Sequence, residues 1–139
     1  MSDSSPLFPD RNALIRILRE RLPGLLAVHA FGSRVHGTAR ADSDLDLAVL
    51  VGGYLDVVQG FELAGQLADV AGCPVDLVDL RAASTVMQHQ IITRGECWWS
   101  AGLPADLFVL YVLDEKMNLD AARASLLQDI AKRGSVYGR

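Results

Sequence analysis

Two apolar runs bracket the feature that most constrains this chain. Leu25 to Phe31 ends in Gly32-Ser33, and ten residues later Asp44-Leu45-Asp46 opens the run Leu45 to Val51. Both runs are too short for a typical helix and are bounded by glycine, so they read as buried strands. Side chains two apart on a strand share a face, so Asp44 and Asp46 converge. Asp46 sits inside Leu-Asp-Leu-Ala-Val-Leu-Val, where an ionised carboxylate loses hydration. That costs several kcal/mol unless the group is paired or binds a metal. Two such groups side by side also repel. A divalent cation relieves both penalties.

The glycine-serine turn has a matching logic. Gly32 lets the backbone approach a phosphate closely. Ser33 and the amides that follow, at the start of a turn or helix, can donate to phosphate oxygens. Arg34 and Arg40 flank the turn and can meet phosphate or pyrophosphate. Each half of the pattern alone fits an ordinary turn or a solvated strand face. Together they suit the handling of a nucleotide, the turn holding a triphosphate and the carboxylates holding its metal ions. A third carboxylate is expected from a neighbouring strand, and Asp76 and Asp79 in Val75-Asp76-Leu77-Val78-Asp79 compete for the role. They face opposite sides of a strand, so only one can join. Asp76 is preferred as the more enclosed, with Asp79 capping the strand end or pairing with Arg81. Three carboxylates around two metals make a phosphoryl-type site.

Composition narrows the substrate. The 139 residues carry a net charge of −4 and a pI of about 5.2. An acidic chain is poorly suited to tracking a nucleic-acid backbone, so no direct nucleic-acid binding is expected. Half the residues are hydrophobic, enough for a core. No apolar run approaches the roughly 20 residues that span a bilayer. Met1 to Pro6 shows no signal pattern, and the two cysteines, Cys73 and Cys97, form no CxxC. The expectation is a cytoplasmic protein with reduced, buried thiols.

Along the chain, Met1 to Pro9 reads as a loose arm. Asp10 caps a helix from Arg11 to Arg21 with Leu14, Ile15, Leu18 and Leu22 on one face. Residues 34–41 form a turn or short helix. A helix from Asp56 to about Val70 carries Val57, Phe61, Ala64 and Leu67 near one stripe. Pro74 to Leu80 is a third strand. Ser84 caps a helix to about Thr93, Glu96 to Ser100 makes a short edge strand, and Pro104 opens a long helix that Gly134 ends. The order predicts a small mixed sheet with helices on one face.

The long helix carries a second message. Leu107 to Leu113 is apolar all round, more than one core needs, which suggests a second buried face against a partner or another copy. Adjacent Trp98 and Trp99 face opposite ways on a strand and rarely fit one core, so they are candidates for the same interface.

Gly32-Ser33-x10-Asp44-x-Asp46 followed by Asp76 resembles the nucleotidyltransferase superfamily that includes DNA polymerase beta. The small size and the segment Val75 to Arg81 before a helix resemble its minimal nucleotidyltransferase branch, and within it the MntA-type antitoxins that partner HEPN-domain toxins. The likeness covers about residues 25–95, and the C-terminal helix fits it too. It implies an α/β fold of mixed α+β sheet type, as one domain over 1–139 with a core near 10–100 and a helix near 104–133. It implies that Gly32 and Ser33 contact the phosphates of ATP. Asp44 and Asp46 would bind two Mg2+ ions, and Asp76 would complete the catalytic set and help activate the acceptor. The activity implied is AMP transfer from ATP to a tyrosine of a HEPN RNase toxin, held through the C-terminal helix. The alternatives are a non-catalytic antitoxin that occludes its toxin, or transfer to a small molecule or RNA end. The acidic pI and the lack of a substrate domain argue against the last.

Overall fold

The computed structural model describes residues 10–33 and 43–137. The expected arm before Asp10, the turn at 34–41 and both Arg34 and Arg40 lie outside the described residues. Helix α1 spans Arg11–Arg21, and the Asp10 carboxylate accepts from the amides of Asn12 and Ala13, which have no partner within the helix. Strand β1 is Leu25–Phe31 and β2 is Leu45–Val51. Helix α2, Val57–Ala71, leads to β3, Val75–Asp79. Helix α3, Thr85–Arg94, leads to β4, Glu96–Ser100, and α4 runs Leu103–Tyr137.

The four strands lie in the order β3-β2-β1-β4, with β1 antiparallel to both neighbours and β2 parallel to β3. The parallel pair needs a crossover, which α2 supplies. Helices cover both faces of the sheet rather than the one face expected. Leu14 and Leu18 of α1 and Leu63 and Leu67 of α2 pack with Val28, Leu45, Leu47 and Val49. On the opposite face Ile91 of α3 and Phe108 and Val112 of α4 pack with Ala27, Ala48 and Leu50. The alternation within β1 and β2 is apolar in both phases, so neither face can be left to water. Each fully buried leucine here is worth about 1.5–3 kcal/mol.

Four local expectations are corrected. The buried stripe of α2 is Gly60, Leu63 and Leu67, while Val57 and Phe61 are over 80% exposed. Helix α4 passes through Gly134 to Tyr137, since one interior glycine costs a helix only about 1 kcal/mol. Trp98 and Trp99 both pack against the first core cluster. A register shift leaves Trp98 unmatched between the pairs Val28–Trp99 and His29–Cys97, and such a bulge re-aims side chains. Arg11 lies over the Trp98 ring and Arg19 over the Trp99 ring, each at 4.9 Å. Both cysteines are free, but Cys97 is exposed on edge strand β4 rather than buried.

The apolar run of α4 is buried on one side only. Phe108 and Val112 are buried, whereas Leu107, Leu110 and Tyr111 on the other side are more than half exposed. Residues 117–132 are all exposed, and Leu126, Leu127 and Ile130 keep an apolar stripe uncovered there.

Candidate active site

The sheet register lines up the site. Phe31 at the end of β1 pairs with Asp46, and Asp46 pairs in turn with Asp76 on β3. Gly32 follows at once with φ of +84°, a left-handed conformation that disfavours any side chain. A Cβ on Gly32 would collide with the Asp46 carboxylate. The glycine is therefore doubly required, by its backbone angle and by the carboxylate packed on it. Ser33 enters helical conformation directly after the turn.

Asp44 is exposed at the mouth of β2, and Asp46 is half-buried. Burial pushes the Asp46 carboxyl above its ordinary range, and the nearby charges of Asp76 and Asp44 push it further. Among the described residues none of the three carboxylates has a cationic partner. Nor do any three Asp, Glu, His or Cys side chains there close into a metal cage. That open arrangement suits magnesium, which is usually held by one or two carboxylates with substrate phosphates and water completing the shell. The oxygen donors and the uncompensated charge at Asp46 fit that ion.

Asp76 and Asp79 do separate as strand parity requires, but the ground for preferring Asp76 is corrected: Asp76 is exposed and Asp79 is the more enclosed. Asp79 pairs with Val49, further along the sheet. Its carboxylate accepts from the amide of Leu55 at 2.9 Å and that of Arg81 at 3.1 Å, so it caps the turn after β3. Arg81 is also absorbed by structure. Its guanidinium donates to the carbonyls of Val51 and Gly53 and lies over the Phe108 ring.

Two features have no signal in the sequence. His29 on β1 is 6% exposed, its Nδ1 has no hydrogen-bond partner among the described residues, and burial lowers its pKa. Helix α3 also contributes to the neighbourhood of the turn: Met87, Gln90, Ile91 and Arg94 line a cavity of about 230 Å³ with Phe31 and Gly32. Their i, i+3, i+4, i+7 spacing was visible, but nothing in the sequence alone says what that face meets.

The model of the family described as polymerase beta nucleotidyltransferase matches residues 12–101, which contain the turn and all three carboxylates. The chain belongs to this nucleotidyltransferase family. Among its relatives is the protein adenylyltransferase MntA of Shewanella oneidensis, 37% identical over 121 residues, 87% of each chain. A crystal structure of a toxin–antitoxin with AMP-PNP contains a chain that superposes with a TM-score of 0.76 at 37% identity, covering 88% of this chain and 98% of that one. Another match, at TM-score 0.70 and 35% identity over 87% and 95% of the two chains, comes from the tri-AMPylated Shewanella oneidensis HEPN toxin in complex with MNT antitoxin. The nucleotidyltransferase fold expected from the motif is therefore the fold observed. No helix among the described residues is long and apolar enough to cross a membrane.

Proposed function

We propose that this nucleotidyltransferase is an antitoxin that transfers AMP from ATP to a tyrosine hydroxyl of a cognate HEPN-family RNase toxin, and so silences it in the cytoplasm. One observation supports the reading: the Asp46 carboxylate rests on Gly32 and lies in register with Asp76, which brings the glycine-serine turn and the strand carboxylates together. The MntA relative and the AMPylated HEPN complex support protein as the acceptor.

In this reading Gly32 and Ser33 hold the triphosphate through backbone and hydroxyl donors. Asp44, Asp46 and Asp76 hold two magnesium ions, which when bound neutralise phosphate charge and favour attack and departure. Asp76, exposed at the sheet edge, faces the acceptor and takes the phenolic proton. The tyrosine oxygen forms a bond to the α-phosphorus as the bond to pyrophosphate breaks. The chain's contribution is placement and a fixed field rather than covalent participation.

The uncovered stripe of α4 favours a second reading, in which binding alone occludes the toxin. Neutralisation assays with the wild-type chain and with Asp44→Asn/Asp46→Asn separate the two. Catalysis predicts that the double variant binds the toxin but leaves its RNase activity intact. Full neutralisation by the double variant would establish occlusion instead.

A further inference from the structure

The cavity between the end of β1 and α3 has no part in the reading so far. Its six lining residues are Phe31, Gly32, Met87, Gln90, Ile91 and Arg94, and it measures about 230 Å³. That volume is below the range of sites for drug-sized ligands and suits a single ring system. Gly32 is a shared wall, so a group in this cavity is a direct neighbour of the turn that meets phosphate. The cavity also lies on the same face of the sheet as Asp46, because Phe31 is the cross-strand partner of Asp46.

The helical face runs in the direction a nucleotide needs. Met87 to Arg94 covers about 10 Å at the α-helical rise. Its Arg94 end abuts β1: a Cβ on the adjacent Gly95 would come within 2.7 Å of the Ala30 carbonyl oxygen. Its other end is anchored away from the turn, where the Gln88 amide donates to the Leu80 carbonyl. The walls from Phe31, Met87 and Ile91 are apolar and polarisable, suited to the face of an aromatic base. The Gln90 amide offers a donor and an acceptor together, the pair that matches the amino group and adjacent ring nitrogen of adenine. Arg94 lines the cavity beside Gly32 and so puts a permanent positive charge near the turn. Gln90 and Arg94 are both exposed, and among the described residues neither the Gln90 amide nor the Arg94 guanidinium is tied up by a hydrogen bond or ion pair.

We propose that this cavity is the nucleobase subsite, with Gln90 selecting adenine over guanine and Arg94 gripping the phosphate end of the same nucleotide. The assignment rests on the reading above that the chain binds ATP at the Gly32-Ser33 turn. It adds the source of base selectivity, which the carboxylates and the turn cannot supply because they meet only phosphate.

Equilibrium binding of ATP, GTP and adenosine, each with millimolar magnesium, tests it on the full-length chain and its Gln90→Ala, Gln90→Glu and Arg94→Ala variants. Wild type is expected to prefer ATP. Gln90→Ala brings the two affinities close to equal. Gln90→Glu moves the ATP-to-GTP ratio toward GTP by about tenfold or more, since a carboxylate accepts from the paired N–H groups of guanine. Arg94→Ala weakens ATP by about tenfold and leaves adenosine unchanged. A role of Arg94 confined to the helix end would change the melting temperature and not this difference. An ATP-to-GTP ratio unaltered in both Gln90 variants overturns the subsite while leaving the transferase reading intact. No binding of any nucleotide by wild type overturns both.

Discussion

Gly32 and Asp46 occupy one another's space: the glycine's missing side chain is the room that the carboxylate fills. The Gly32-Ser33 turn and the strand that carries Asp46 are thus a single unit. Gly32→Ala should fail on both counts. The left-handed backbone at φ +84° costs an alanine about 1–2 kcal/mol, and the new methyl must displace the carboxylate. The expected result is a melting temperature several degrees lower and AMP transfer reduced on the order of 100-fold, measured by calorimetry and by nucleotide incorporation. A Gly32→Ala protein with wild-type melting and wild-type transfer would refute the coupling.

The fold disfavours the ionised form of Asp46. Its pKa is raised in the fold, by burial first and by Asp76 and Asp44 after it. The folded state therefore holds the proton more tightly than the unfolded state. The metal-free protein is most favoured below the ordinary carboxylate value and loses that advantage as pH rises through the raised one. Asp46→Asn removes the ionised form altogether. At pH 7 without metal the variant should melt higher than wild type, and the gap should narrow on acidification. Transfer should fall on the order of a thousandfold. A variant that melts lower than wild type at pH 7 would contradict the electrostatic argument.

Asp76 and Asp79 should respond oppositely to removal. Asp79 accepts from two backbone amides, so Asp79→Ala leaves orphaned donors at a cost of about 1–3 kcal/mol while sparing the chemistry. Asp76 is exposed and makes no such bonds among the described residues, so Asp76→Ala should hold stability within about 0.5 kcal/mol and lose transfer. Denaturant melts and initial rates of the two variants decide the matter. The reverse pattern would make Asp79 the third carboxylate.

The far end of α4 should matter to the partner and not to the fold. Leu126 and Ile130 are at least half exposed on a helix segment that none of the described core residues cover. Leu126→Asp/Ile130→Asp is expected to keep the melting temperature and to weaken binding of the cognate toxin by tenfold or more, read by calorimetric titration. Unchanged toxin affinity would locate the interface elsewhere.

The legible parts of this molecule were those encoded by neighbours in sequence. The Asp10 and Ser84 caps and the bounds of β1 and β2 depend on residues a few positions apart, and the turn-plus-carboxylate motif lies within Gly32 to Asp46. What stayed hidden depends on contacts across the sheet. Val57 and Phe61 look like a core stripe until α2 is seen to turn Leu63 and Leu67 inward instead. Both phases of β1 and β2 are apolar, yet two helices on each face follow only once the long helix is seen to fold back through Phe108 and Val112. Adjacent Trp98 and Trp99 would face opposite ways on a regular strand, but one unmatched residue in β4 lets both reach α1. Local composition makes Asp76 look more enclosed than Asp79. What distinguishes it in the structure is its pairing with Asp46 while Asp79 is engaged as a cap, which is a matter of register and not of local composition.

The central claim is metal-dependent AMP transfer to a toxin tyrosine. Intact-mass spectrometry of the cognate HEPN toxin, incubated with this chain and ATP with and without magnesium, tests it most directly. The account predicts mass increments of AMP on the toxin, mapping to tyrosine, that vanish when magnesium is chelated or when Asp44 and Asp46 are both replaced by Asn. A toxin that keeps its unmodified mass across a full magnesium and ATP titration, while the wild-type chain still neutralises it, would contradict the account.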